Sequence, residues 1–86
     1  MNATAPQPRP GDEPLILWTV YDHPQGFPHS YMAQQSFVGP NGRISYGSCV
    51  LTPRLGWLRA WLGAVQGLTC IGRLPDDDPK IVEVWL

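Results

Sequence analysis

Long apolar runs are the first thing this 86-residue chain lacks. No stretch approaches the roughly 18 apolar residues that a membrane-spanning helix needs, and the N-terminus has no basic region followed by an apolar run. The expectation is a cytoplasmic protein with no membrane partner. Clustered positive charge is also missing: six Lys and Arg lie scattered among seven Asp and Glu, for a formal net charge of −1. That distribution excludes the counterion-releasing grip by which basic proteins hold duplex DNA. Histidine and cysteine are scarce, two of each, and no CxxC or HxxxH pair occurs. The chain therefore lacks the usual ligand spacings of tetrahedral zinc, and no metal or cofactor is expected.

Proline and glycine are plentiful instead, ten and nine residues, in a chain that is 43% hydrophobic and 15% charged. Such a chain forms one small domain with many turns, hiding roughly 60% of its unfolded surface on folding. Residues 1–14 carry four of the prolines and no large apolar side chain beyond Met1, so they read as a flexible proline-rich tail ahead of a single domain over 15–86.

The strongest local signal is a helix over 53–66. Thr52 is placed to cap it, Pro53 suits a first helical position, and Gly67 can end it in the left-handed conformation. Leu55, Leu58, Leu62 and Val65 recur at helical spacing on one stripe, with Trp61 at its edge. Gly56, Ala60 and Gly63 form a small-residue stripe nearer the opposite side. A rod this short needs a covering surface, since alone in water it is marginal.

The rest of the domain reads as strands. Leu15 to Tyr21, almost continuously apolar, suggests a central strand. Asp22 to Ser30 is a loop, because Pro24, Gly26 and Pro28 forbid a regular element. Tyr31 to Val38 puts Tyr31, Ala33, Gln35 and Phe37 on one face, and its polar middle fits one wet side. Gly39-Pro40-Asn41-Gly42 supplies hairpin chemistry before a strand over Arg43 to Leu51. Beyond the helix, Leu68 to Leu74 and Ile81 to Leu86 form a second hairpin around Pro75 to Pro79. In the last strand Val82, Val84 and Leu86 share one face while Ile81, Glu83 and Trp85 share the other. The expected fold is α+β: a single mainly antiparallel twisted sheet of about five strands, in the order β-β-β-α-β-β, with the helix packed on one face.

Candidate functional residues are few. Asp76, Asp77 and Asp78 form the one charge run, suited to a solvated loop or to a basic partner surface. Trp57, with Arg54 and Arg59 nearby, has the composition of a binding hot spot. Asp22, His23 and His29 share one loop and are the alternative, a metal or hydrolytic centre, if they converge. Asp22 reads more simply as a turn former and His23 as held extended by Pro24. Cys49 and Cys70 flank the helix and read as small apolar filling, able to approach each other only if their strands are neighbours.

The segments LWTVYDHPQGFP and GRLPDDDPKIVEVWL resemble those of a group of short uncharacterised bacterial and phage-associated proteins that share a YDHPxxFP-like start and a DDPxIVEVWL-like ending. The resemblance implies that the two proline-bounded loops belong to one surface. It brings no activity and no residue-level motif. Small proteins of mobile elements often act by binding and blocking a larger bacterial complex, anti-CRISPR proteins among them. The expectation is therefore a non-enzymatic binding module, an inhibitor or adaptor that docks on a larger protein through Asp76, Asp77, Asp78, Trp57, Arg54, Arg59, Asp22 and His23. A structural homodimer, through the small-residue stripe or an unpaired strand edge, is a further alternative.

Overall fold

The computed structural model of the protein describes residues 14–73, 75 and 77–86. The tail expected over 1–14 thus lies outside the described residues except for Pro14, as do Leu74 and Asp76. The elements are β1 (Leu15–Asp22), β2 (Tyr31–Val38), β3 (Ile44–Thr52), α1 (Leu55–Ala60), one π turn (Trp61–Val65), β4 (Cys70–Gly72) and β5 (Ile81–Trp85). They build one open five-stranded sheet in the order β3-β2-β1-β5-β4, with antiparallel pairing throughout. This is the α+β architecture expected, with the apolar β1 at its centre. No described helix is long and apolar enough to cross a membrane.

Both hairpins form. In the first, Gly42 N–H donates to Gly39 O at 2.9 Å and Gly39 N–H to Arg43 O at 2.8 Å. Only Gly42, at φ 79°, takes the left-handed conformation that Asn41-Gly42 was expected to share. Asn41 instead accepts the Arg43 N–H through its side chain at 3.0 Å, which favours an ordinary turn closed by one left-handed glycine.

The chain leaves β3 at one edge of the sheet and enters β4 at the other, so the helix is laid across one face on the way. Leu58 and Leu62 are fully buried there, over Trp18, Val20, Ala33 and Trp85. Burying each leucine stabilises the fold by roughly 1.5 to 3 kcal/mol. Alternation along the strands then decides the rest: with Trp18 and Val20 inward, Leu17, Thr19 and Tyr21 face away.

The helix departs from expectation at both ends. It starts at Leu55 rather than Pro53, with Arg54 as an extended cap residue that makes no side-chain capping bond. Thr52, still paired with Tyr31 in β3, accepts the Arg54 N–H through its hydroxyl at 3.2 Å. It shapes the turn into the helix instead of capping it. At the other end the last turn widens. Gln66 N–H reaches back five residues to Trp61 O at 3.0 Å, and Leu68 N–H reaches Leu62 O at 3.0 Å, with Gly67 at φ 69°. A five-residue repeat turns less per residue than an α-helix. Val65, expected on the buried stripe, consequently swings out to 68% exposure. Gly63, expected on an outer small-residue stripe, sits against Trp85, where an added Cβ would lie 3.5 Å from the indole.

The two cysteines are corrected as well. Cys49 lies on β3 and Cys70 on β4, at opposite edges of the sheet, and both are free and exposed. Neither fills the core, and they do not pair. The fourth strand is also shorter than expected because the chain around Gly72, at φ 73°, breaks the register against β5.

No described element covers the second face of the sheet. By register it carries Leu17, Thr19 and Tyr21 of β1 and Met32, Gln34, Ser36 and Val38 of β2. Ile44, Tyr46, Cys49 and Leu51 continue it on β3, and Val84 on β5. The polar middle of β2 does not simply face water. Ser36 is buried, and the Gln34 amide donates to the carbonyls of Gln35, Gly47 and Ser48, holding a bulge where β3 passes β2.

Candidate functional site

Pairing puts Asp22 opposite Tyr31 and Tyr31 opposite Thr52, so three loops or turns meet along one end of the sheet. At the β3 side, Leu51, Thr52, Pro53, Arg54 and Trp57 line an open groove of about 350 Å3. Trp57 is half exposed and stacks on Trp61, with centroids 6.2 Å apart and planes within 8°. Trp61 in turn stands edge-on to the buried Trp18, at 5.3 Å and 88°. A chain of three indoles therefore anchors the exposed ring to the core and limits the rotamers it can adopt. The guanidinium of Arg54 has no hydrogen bond or ion pair among the described residues.

At the β1 side the two proline-bounded loops converge. Asp22 N–H donates to Lys80 O at 2.7 Å, and Lys80 Nζ to His23 O at 3.4 Å. The His23 ring pairs through Nδ1 with the Asp22 carboxylate and lies 4.9 Å from the Tyr31 ring. His23 is not extended as expected but left-handed, at φ 48°. The contacts to Asp22, Tyr31 and Lys80 on three segments together offset the cost of that backbone conformation. The acidic loop is partly self-bound: the Asp77 carbonyl accepts from Arg73 Nη2 at 2.8 Å, and Asp78 Oδ1 from the Lys80 N–H at 2.8 Å. The expected Asp76 contribution falls outside the described residues. His29 is exposed, and among the described residues no three His, Cys, Asp or Glu groups are placed to hold one ion.

Arg59, its side chain half exposed, is tied back to the sheet. Its Nε and Nη2 donate to Glu83 Oε1 at 2.8 and 2.7 Å, while Trp85 Nε1 and Cys70 Sγ approach Glu83 Oε2 at 2.6 and 3.5 Å. Glu83 is almost wholly buried in the core face of β5. The hydrogen bond to Glu83 holds the Arg59 guanidinium above its ordinary pKa, outweighing the opposing effect of burial. Sequence reasoning missed this pair. The signal was a lone carboxylate flanked two residues away on each side by Ile81 and Trp85, which marks a charge on an apolar face.

Tyr21, beside the acidic loop on the uncovered face, has its phenol pushed above the ordinary 10.0 by burial first, then by the Tyr46, Asp78 and Asp77 charges. The folded state thus holds the Tyr21 proton more tightly than the unfolded chain. Its contribution is complete below pH about 10 and is lost as pH rises through the folded value. Tyr21→Phe is expected to flatten the fall in thermal midpoint between neutral and strongly alkaline pH; an unchanged fall would remove Tyr21 from the account.

Compared with family models, with curated proteins and with solved structures, the chain matches none.

Proposed function

We propose that the protein is a non-enzymatic binding module that docks on a larger protein through the end of the sheet holding Trp57, Arg54 and the two proline-bounded loops. The observation that supports this reading most is Trp57, a half-exposed indole stacked in place over an open groove beside Arg54, whose guanidinium has no partner among the described residues. Rigid aromatics and arginines dominate binding energy because they bring large area or charge at little further entropic cost. The loop carrying Asp78 adds negative charge to the same end, which favours a partner with a basic patch and speeds encounter more than it tightens binding. The most concrete form of this function, an inhibitor or adaptor acting on a larger bacterial complex, draws on the resemblance of the two loop-bearing segments.

The test is site-specific photo-crosslinking in the native host, with the reactive group at position 57, at position 78, or at position 41 in the hairpin at the far end. The same adduct mass from 57 and 78 and none from 41 is expected. Combining Arg54→Glu with Trp57→Ala, with the far-ultraviolet spectrum preserved, is expected to lower capture of that partner more than about tenfold. Equal adducts from position 41, or unchanged capture by the double variant, would sink the proposal.

A further inference from the structure

The face of the sheet opposite the helix carries no charged side chain on any of β1, β2, β3 or β5, although nothing described covers it. Antiparallel sheets with one wet face ordinarily show polar groups there. Here Ile44, Tyr46 and Leu51 remain 54%, 71% and 43% exposed, and Leu17, Met32 and Val38 are mostly but not fully covered by their neighbours. Apolar side chains set around an uncharged middle of Thr19, Gln34 and Ser36 make a surface of the kind that marks an interaction site.

We propose that a second copy of this chain covers the face, the two sheets packing against each other about a two-fold axis. Size is the first argument. Three strands of eight or nine residues and one of five, at about 4.8 Å spacing and 3.3 Å rise, give a flat area of about 475 Å2. Two copies would hide about 950 Å2 before interdigitating side chains are counted, which approaches the 1,000 to 1,200 Å2 where specific interfaces begin. Self-compatibility is the second. A two-fold axis sets the residues nearest it against their own copies, so a charge there meets a like charge. This face offers only apolar, hydroxyl, thiol, phenol and amide groups, all of which tolerate their own kind. Aligned packing of two such sheets about 10 Å apart makes a sandwich core. The helix face, with Trp57, stays outside it, and Leu51 is the one residue shared between the covered face and the groove.

Sedimentation equilibrium of the full chain tests the proposal, from micromolar to millimolar concentration. A reversible shift from 9.6 kDa to twice that mass is expected. Tyr46→Lys on β3 and Val38→Lys on β2, each checked for an unchanged far-ultraviolet spectrum, are expected to raise the dimer dissociation constant at least tenfold, whereas Trp57→Ala leaves it alone. A strict monomer at every concentration overturns the proposal. So does a dimer weakened by Tyr46→Lys but indifferent to Val38→Lys, which would pair the free edges of β3, and so does one weakened by Trp57→Ala alone. The crosslinking at position 57 is read separately, so loss of one proposal leaves the other standing.

Discussion

Arg59→Ala is expected to destabilise the fold by about 2 to 3 kcal/mol, measured by denaturant unfolding at neutral pH. The cost comes less from the lost attraction than from what is left behind. Glu83 would keep a buried carboxylate whose Oε1 had lost both guanidinium bonds, with the Trp85 and Cys70 contacts to Oε2 alone remaining. The figure stays below that for a fully buried pair because the Arg59 side chain is 51% exposed, so solvent already screens part of the interaction and can replace some of it. Glu83→Gln in the Arg59→Ala background should recover much of the loss, since the amide oxygen still accepts the Trp85 indole N–H while the stranded charge is gone. If the double variant proves no more stable than Arg59→Ala, the carboxylate is not what makes the single change costly.

Leu58→Ala is expected to cost about 2 to 5 kcal/mol, because Leu58 is fully buried and its removal leaves a cavity that a well-packed core closes only in part. For a domain of this size each kcal/mol lowers the thermal midpoint by about 4 to 8 °C, so the variant is expected to melt well below the parent. Val65→Ala, seven residues on and in the same helical phase by sequence, is expected to change stability by less than about 0.5 kcal/mol, since Val65 is 68% exposed. The contrast tests the π turn directly. A regular α-helix through residue 65 would bring Val65 back over the sheet, and the two alanine variants would then cost comparable amounts. Both sets of measurements should be made at one protein concentration, because association would couple stability to concentration.

Much of the architecture was legible along the chain because local chemistry settles it. β-branched and aromatic runs between prolines and glycines place the strands, and turn residues join the hairpins. The spacing of Leu58 and Leu62 places the helix against the sheet. What local chemistry leaves open is which of two plausible faces ends up covered. In β5 the face with Val82, Val84 and Leu86 is the more uniformly apolar, yet the core took Glu83 and Trp85. Trp85 offers more area to the helix, and Arg59 neutralises the one charge that comes with it. The same ambiguity hid the role of Arg59, which looks like a surface residue until its helix is laid over β5.

Composition and short-range pattern alone thus determined the number and kind of elements, the hairpins and the class of fold, since each depends on backbone preferences a few residues wide. Only the folded chain decided the strand order, the separation of Cys49 from Cys70, the widened turn that frees Val65, and the gathering of Trp57, Arg54, His23 and Asp78 at one end of the sheet. Those features depend on contacts between residues far apart in sequence, where the winning arrangement is the one that buries the indoles of Trp18 and Trp85 together while leaving Glu83 a cation.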